Sequence, residues 1–272
     1  MHYDPIKNSL SKLLRRYTFL RKLFYKTLGA MFLREWYVKR KIKSLYRDNP
    51  PEEILDAGSG FGQYTYFMTK RFPAAHILAV DLKDDQIEDC KYFFSKTGHN
   101  NCEFKLEDLA EISALSGYDK KFDLVLSVDV MEHIEDDICV LKNFYGALKS
   151  GGMVIINTPS NLGGSDKHSG DEESFIGEHI RPGYSKEDIT EKLKSAGFTV
   201  ESFQYTYGKW GSRCWQLGIK YPMQLLNKSK VFFVLLPFYY LVIIWWVWLF
   251  MRLDMKEKNK ISGTGILVVA KK

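Results

Sequence analysis

Between residues 50 and 206, short apolar runs alternate with longer stretches whose apolar positions recur every three or four residues. The runs fall near 53–57, 76–81, 102–105, 122–128 and 152–158. Each has strand length, and the intervening stretches carry the helical period. Strand and helix in repetition predict an α/β fold built on a doubly wound parallel sheet with helices on its faces. Farther on, Ser185 is a good helix N-cap with Asp188 at the third helical position, and Gly197 follows Ala196 as a stop. A sixth strand is expected over Phe198–Tyr205.

The flanks have different patterns. Before residue 50, Leu10, Leu13, Leu14, Tyr17, Leu20, Phe24, Leu28 and Met31 recur at helical steps, with Lys12, Arg15, Arg16, Arg21, Lys22 and Lys26 between them. This is a basic amphipathic helix, and it suits an anionic membrane surface or a place packed on the α/β core as a lid. A basic stripe also binds nucleic acid, but the interleaved Leu and Phe argue against that partner. Beyond Tyr207, residues Val231 to Met251 form an almost unbroken apolar stretch with Trp245, Trp246 and Trp248. Its length permits a membrane-spanning helix. The chain thus divides into a basic helical segment at 1–49, a core at 50–206, an apolar helical insertion at 207–264 and a final strand at 265–272.

The chemistry is concentrated where the first strand ends. Ile54 to Gly62 reads ILDAGSGFG, and Gly58, Gly60 and Gly62 let the backbone approach a ligand closely just before a helix begins near Gln63. Asp81 ends the second apolar run, where a carboxylate can accept from both hydroxyls of a ribose. The dinucleotide fingerprint GxGxxG would put its third glycine at Gln63, so a nicotinamide cofactor is disfavoured.

These residues resemble the class I S-adenosylmethionine-dependent methyltransferases, whose first motif is an acid followed by x-G-x-G-x-G; Asp56 to Gly62 matches it. The resemblance continues through Glu107 to Leu109 (EDL), Phe122 to Asp136 (FDLVLSVDVMEHIED), and Leu148 to Pro159 (LKSGGMVIINTP), covering residues 50 to 206 and the last strand. It implies a Rossmann-like, seven-stranded, mostly parallel sheet whose last strand, Gly265 to Ala270, runs antiparallel, with S-adenosyl-L-methionine as cofactor. By the same resemblance Gly58, Ser59, Gly60 and Gly62 line the methionine and ribose, and Asp81 holds the ribose hydroxyls. Asp56 orients the loop or the amino group, and Leu82 lies on the adenine face. Asp108 accepts from the adenine amino group with the Leu109 backbone beside it, and Ser127, Val128 and Asp129 border the methionine. Asp108 is equally placed to act as a helix N-cap.

If the seventh strand pairs with the sixth, both ends of the 207–264 insertion lie at one end of the sheet. A single crossing would then leave Arg252 on the far side of a hydrocarbon core about 30 Å thick, and the return path would carry unsatisfied backbone groups. The expectation is therefore one or two helices over 210–252, broken near Pro237, lying in the membrane interface, or else a buried helix or homodimer contact.

Methyl transfer from a sulfonium needs an acceptor placed in line and water excluded. A hydroxyl acceptor also needs a base. His133, in MEHIED, and His179, in GEHIRPGY, are the candidates because imidazole titrates near neutrality. His133 also lies in a motif resembling quinone-type methyltransferases. The four cysteines, Cys90, Cys102, Cys139 and Cys214, show no metal-ligand spacing and read as free thiols in a reducing cytoplasm. Net charge is +6, most of the excess lying before residue 48. Three functions compete. The first is a methyltransferase acting on a lipid-like or membrane-resident small-molecule acceptor at the cytoplasmic face of a membrane. The others are a soluble enzyme for a small metabolite or sugar, and a non-catalytic binding protein on the same fold.

Overall fold

The computed structural model describes residues 17–111, 115–163, 180–229 and 231–272. Strands β1 (Glu53–Ala57), β2 (His76–Asp81), β3 (Cys102–Leu106), β4 (Phe122–Val128), β5 (Leu148–Pro159), β6 (Thr199–Thr206) and β7 (Gly265–Lys271) form one sheet in the order β3-β2-β1-β4-β5-β7-β6. All pairings are parallel except those of β7 with β5 and β6. The order reverses between β1 and β4, and the crevice at that switch point is where open α/β sheets bind ligands.

Helices α3 (Gln63–Arg71), α4 (Asp84–Thr97), α5 (Asp137–Ala147) and α6 (Lys186–Ser195) make the crossovers and carboxyl-side cover. The expected cap is present, since Ser185 accepts from the Asp188 amide through Oγ at 3.0 Å. Central strands are apolar on both faces because both are covered. Leu55, Val125 and Ile156 pack with α5 and α6 on one side, and Ile54, Leu124 and Ile155 pack on the other with Val38, Ile42, Val247 and Met251.

That second layer comes largely from outside the core segment. Helix α2 (Leu33–Leu45) lies against the sheet through Val38 and Ile42, and α1 (Thr18–Met31) packs through Tyr25 on Ile87, Phe93 and Phe94 of α4, so the described part of the basic segment is docked on the fold. Arg21, placed by its sequence spacing on the polar side of α1, is only 3 % exposed. The cause is a set of buried acceptors that only a long forked donor reaches, described below.

The insertion forms α7 (Lys209–Trp215), a π-helical turn at Gln216–Lys220, α8 (Tyr221–Lys228) and the long α9 (Phe232–Lys256). The chain breaks after Ser229, whose hydroxyl accepts from the Val231 amide at 3.3 Å. It does not break at Pro237, which stands inside α9 near its start. A proline there forfeits a single ladder bond. The hydroxyls of Tyr239 and Tyr240 donate to the carbonyls of Leu217 and Gly218 at 2.6 and 2.9 Å, tying α9 to the π turn. At the base, buried Asp254 accepts from the Tyr37 hydroxyl at 2.6 Å and the Gly211 amide at 2.9 Å. Thr206 pairs with Gly265, so the insertion leaves and rejoins the sheet at its carboxyl end.

Candidate active site

The loop after β1 is shaped by backbone geometry. Gly58, Gly60 and Gly62 all have positive φ, at 83°, 52° and 71°. The amides of Gly58 and Ser59 both donate to the Val80 carbonyl at 2.9 Å, fastening the loop to the end of β2. At Gly58 a β-carbon would lie 2.1 Å from Val130 Cγ2, so both conformation and space require glycine.

Asp81 closes the arrangement. Its Oδ2 accepts from the Gly60 amide at 2.8 Å and its Oδ1 from the Lys83 amide at 3.0 Å. A carboxylate has further lone pairs, so these bonds fix its aim while leaving acceptors for a ligand. Leu82, 65 % exposed, offers an apolar surface next to it. Asp56 faces inward: it is 2 % exposed and accepts from the Thr65 hydroxyl at 2.5 Å. Burial pushes its pKa up to about 7, with the charge of Asp81 adding to the shift. Its hydrogen bond ties the end of β1 to the helix that follows the glycine loop.

Asp108 Oδ1 accepts from the Ala110 amide at 2.9 Å and caps the turn after β3, while the Leu109 carbonyl is held by Asn143 at 3.1 Å. At the end of β4, Ser127 is buried, Val128 packs on the core, and Asp129 has φ of 53° with its amide donating to the Asn157 carbonyl. His133 is half-buried in a 3-10 turn, Met131–His133, on the same rim. His179 lies outside the described residues.

The adenosyl-methionine group implied by the sequence fits this cradle. The hydroxyls of Ser59 and Ser127, buried at the glycine loop and at the end of β4, have no partner among the described residues. Unsatisfied buried donors cost about 1–3 kcal/mol each, which a polar ligand recovers. The glycine loop, Asp81 with Leu82, and Asp108 follow the carboxyl ends of β1, β2 and β3, which are neighbours in the sheet.

Three groups were not legible as site residues. Arg21 and Tyr25 of α1 reach the glycine loop from outside: Arg21 Nη2 donates to the Phe61 carbonyl at 2.9 Å, its Nη1 to the Asp89 carbonyl at 3.0 Å, and Tyr25 Oη also donates to the Phe61 carbonyl. The guanidinium lies 4.8 Å from the centre of the Phe93 ring. Arg34 of α2 forms an ion pair with Asp129. Burial works to lower the Arg34 pKa, but the polar surroundings of Tyr64, Tyr207, Glu132 and Glu35 more than offset that and raise it. Glu132, buried, accepts from the Thr158 hydroxyl at 2.9 Å, and burial raises its pKa. Arg34 Nε and the Tyr64 hydroxyl are buried without partners among the described residues. In the sequence Arg21 and Arg34 are indistinguishable from their neighbours in a basic run. An Arg–x3–Tyr spacing putting Arg21 and Tyr25 on one helix face was the only available signal.

A profile described as a methyltransferase domain matches residues 48–197. Phosphoethanolamine N-methyltransferase 1 of Arabidopsis thaliana is 28% identical over 200 residues, covering 72% of this chain and 37% of that protein. Ubiquinone biosynthesis O-methyltransferase of Rickettsia felis is 30% identical over 124 residues, 45% of this chain and 47% of that one. The chain therefore spans less than half the length of these relatives. Among solved structures, Haemonchus contortus phosphoethanolamine N-methyltransferase 2 in complex with S-adenosyl-L-methionine superposes with a TM-score of 0.57 at 19% identity, covering 87% of this chain and 52% of that one. The cyclase SpnF superposes with a TM-score of 0.57 at 14% identity, covering 87% and 80%. Those likenesses concern the fold, which hosts more than one chemistry.

Proposed function

The chain belongs to the methyltransferase-domain family, whose methyl donor is S-adenosyl-L-methionine, and on that premise we propose that it methylates a polar-headed, lipid-like acceptor at the cytoplasmic face of a membrane. The observation that carries this reading is the position of the apolar insertion. It is anchored by Thr206 and Gly265 at the carboxyl end of the sheet, beside the crevice, and α9 keeps a continuous apolar face uncovered by protein. Val234, Phe238, Leu241, Val242, Trp245 and Trp246 are all more than half exposed, at spacings that form one stripe. The opposite side of the helix packs inward through Val247, Trp248 and Met251. A helix held to the protein along one side while presenting Trp and Phe on the other suits lying in a bilayer interface, and a contiguous apolar stripe left bare marks an interaction surface.

The Gly58–Gly62 loop, Asp81, Leu82, Asp108 and Ser127 would hold the cofactor, with Asp56 bracing the loop from beneath. When bound, the cofactor supplies an electrophilic methyl on a sulfonium. Arg34, Tyr64, Tyr207 and Glu132 would bind the acceptor's polar head, because they gather at the end of β4, where Arg34 pairs with Asp129, and the Arg34 Nε and Tyr64 hydroxyl among them are buried donors without partners among the described residues. His133 would take a proton from a hydroxyl acceptor. The α2 and insertion elements above the crevice would exclude water.

A second reading, a soluble enzyme acting on a small polar metabolite, is favoured by the same polar cluster, since it needs no lipid tail. Incubating the protein with radiolabelled S-adenosyl-L-methionine and, separately, a total lipid extract and a water-soluble metabolite fraction separates the two. Label partitioning into the organic phase supports the lipid acceptor. Label confined to the aqueous products overturns it.

A further inference from the structure

Away from the cofactor crevice, at the β6 edge of the sheet, an open cleft of about 290 Å³ lies between α2, β6 and the C-terminal end of α9. Helix α2 contributes Tyr37, Arg40, Lys41 and Ser44, spaced i, i+3, i+4, i+7 and therefore on one face. Ser202 of β6 and Lys258, just past α9, complete the polar wall.

Three cations line this cleft and no carboxylate does. Lys41 Nζ donates to Ser202 Oγ at 3.3 Å, and Arg40 Nη1 donates to the Met255 carbonyl at 3.3 Å, so both side chains lean across the opening. Two acids lie close to Tyr37 without lining the cleft: exposed Glu257, and buried Asp254, which is occupied by the Tyr37 hydroxyl and the Gly211 amide, with Lys260 Nζ 3.8 Å away. Burial and the charge of Arg40 together lower the Lys41 pKa. Cations gathered over a concavity that no carboxylate lines are relieved by an anion, and the serine hydroxyls add neutral donors.

We propose that this cleft is an anion site that binds a phosphate group. Two sources carry that chemistry. One is the headgroup of an anionic lipid: the cleft adjoins the end of α9 where Arg252 and Lys256, both exposed, follow the apolar stripe, and such a basic collar beside an interfacial helix matches a headgroup layer. The other is a free phosphate monoester. The site requires nothing of the methyl-transfer reading, being distant from the glycine loop.

The test uses the intact protein and a triple variant, Arg40→Gln, Lys41→Gln, Lys258→Gln, beside a charge-matched control, Lys91→Gln, Lys96→Gln, Lys142→Gln, at exposed positions elsewhere. Probes are phosphatidylcholine vesicles, phosphatidylcholine vesicles containing phosphatidylglycerol, and glycerol 3-phosphate, with S-adenosylhomocysteine binding as the check that each variant is folded. For the lipid source, the parent and the control bind the anionic vesicles about tenfold or more tightly than the neutral ones at low salt. The triple variant loses that margin yet retains neutral-vesicle and S-adenosylhomocysteine binding. For the free-phosphate source, glycerol 3-phosphate gives a calorimetric signal in parent and control that the triple variant lacks, with the vesicle margin unchanged. A triple variant that matches the control in both arms, or a parent that shows neither effect, overturns the proposal. If neutral-vesicle binding alone is absent, it is the membrane role of α9 that fails.

Discussion

Replacing Arg21 by alanine tests whether α1 is a working wall of the cofactor site or only a cover. The guanidinium makes two backbone hydrogen bonds, to Phe61 and Asp89, bonds Tyr25 Oη at 2.8 Å and Cys90 Sγ at 3.0 Å, and lies against Phe93. Phe61 belongs to the glycine loop, and Asp89 to α4, which follows Asp81, so one side chain braces the two walls of the nucleoside crevice against each other. Truncation leaves a cavity and unpaired buried acceptors, a combination that costs about 2–4 kcal/mol. For a chain of this size that is roughly 4–16 °C in the unfolding midpoint, at about 2–4 °C per kcal/mol. The loop keeps its clasp to Val80 and to Asp81 but loses its outer brace. If the bracing loss lowers the population of the binding-competent loop to about a tenth, apparent affinity falls about tenfold, or about 1.4 kcal/mol. Calorimetric titration with S-adenosylhomocysteine reads the affinity, and thermal unfolding reads the stability. Arg21→Lys, which retains charge but not the fork, should fall between parent and alanine variant. A variant whose midpoint falls while its affinity stays within about twofold of the parent would show that α1 merely packs.

Asp81→Ala removes the acceptor of the Gly60 and Lys83 amides together with the expected ribose contacts; S-adenosylhomocysteine binding should weaken by about 2–3 kcal/mol, roughly 30- to 150-fold, and unchanged binding would remove the cofactor assignment. Gly58→Ala should destabilise by about 2–4 kcal/mol through its φ of 83° and the collision with Val130, and adding Val130→Ala should recover the steric part but leave about 1–2 kcal/mol. Asp56, raised to about 7 by burial, holds a proton in the folded chain that the unfolded chain releases near pH 4. Its contribution to stability is therefore full below that pH, declines as pH rises through about 7 by up to about 1.4 kcal/mol per unit, and is flat above. Asp56→Asn should flatten that slope in denaturant titrations, and parallel slopes would disprove it. Trp245→Ala with Trp246→Ala, at positions 68 % and 53 % exposed, should leave the folding midpoint within about 1 kcal/mol of the parent while weakening vesicle cosedimentation at least about tenfold.

The parallel sheet was legible because its evidence in the chain is local: five apolar runs of four to seven residues, separated mostly by helical periods, so that strands β1, β2 and β4 fall where the pattern puts them; the helix expected between the third and fourth runs is absent among the described residues, which show only a 3-10 turn at Ser116–Tyr118. The Ser185 cap and the glycine loop are local too, each fixed by one backbone conformation that few residues tolerate. What the pattern could not convey is which polar residues are turned inward. Arg21 sits among lysines of similar hydropathy, and its burial depends on the carbonyls of Phe61 and Asp89, 40 and 68 residues away, meeting at one point. Arg34 likewise becomes a site residue only because the β4 end presents Asp129 to α2. Conversely, Pro237 advertised a break that α9 does not take: the chain turns instead at Ser229, whose hydroxyl accepts from the Val231 amide, and the tyrosines just past Pro237 tie the helix to the π turn. The same reasoning bears on the membrane reading: an apolar stretch states how much surface must be hidden, whereas its direction follows from Thr206 and Gly265 standing side by side. Because those anchors lie at the crevice end of the sheet, an interfacial α9 would bring the acceptor pocket to the lipid surface as a consequence of strand pairing alone.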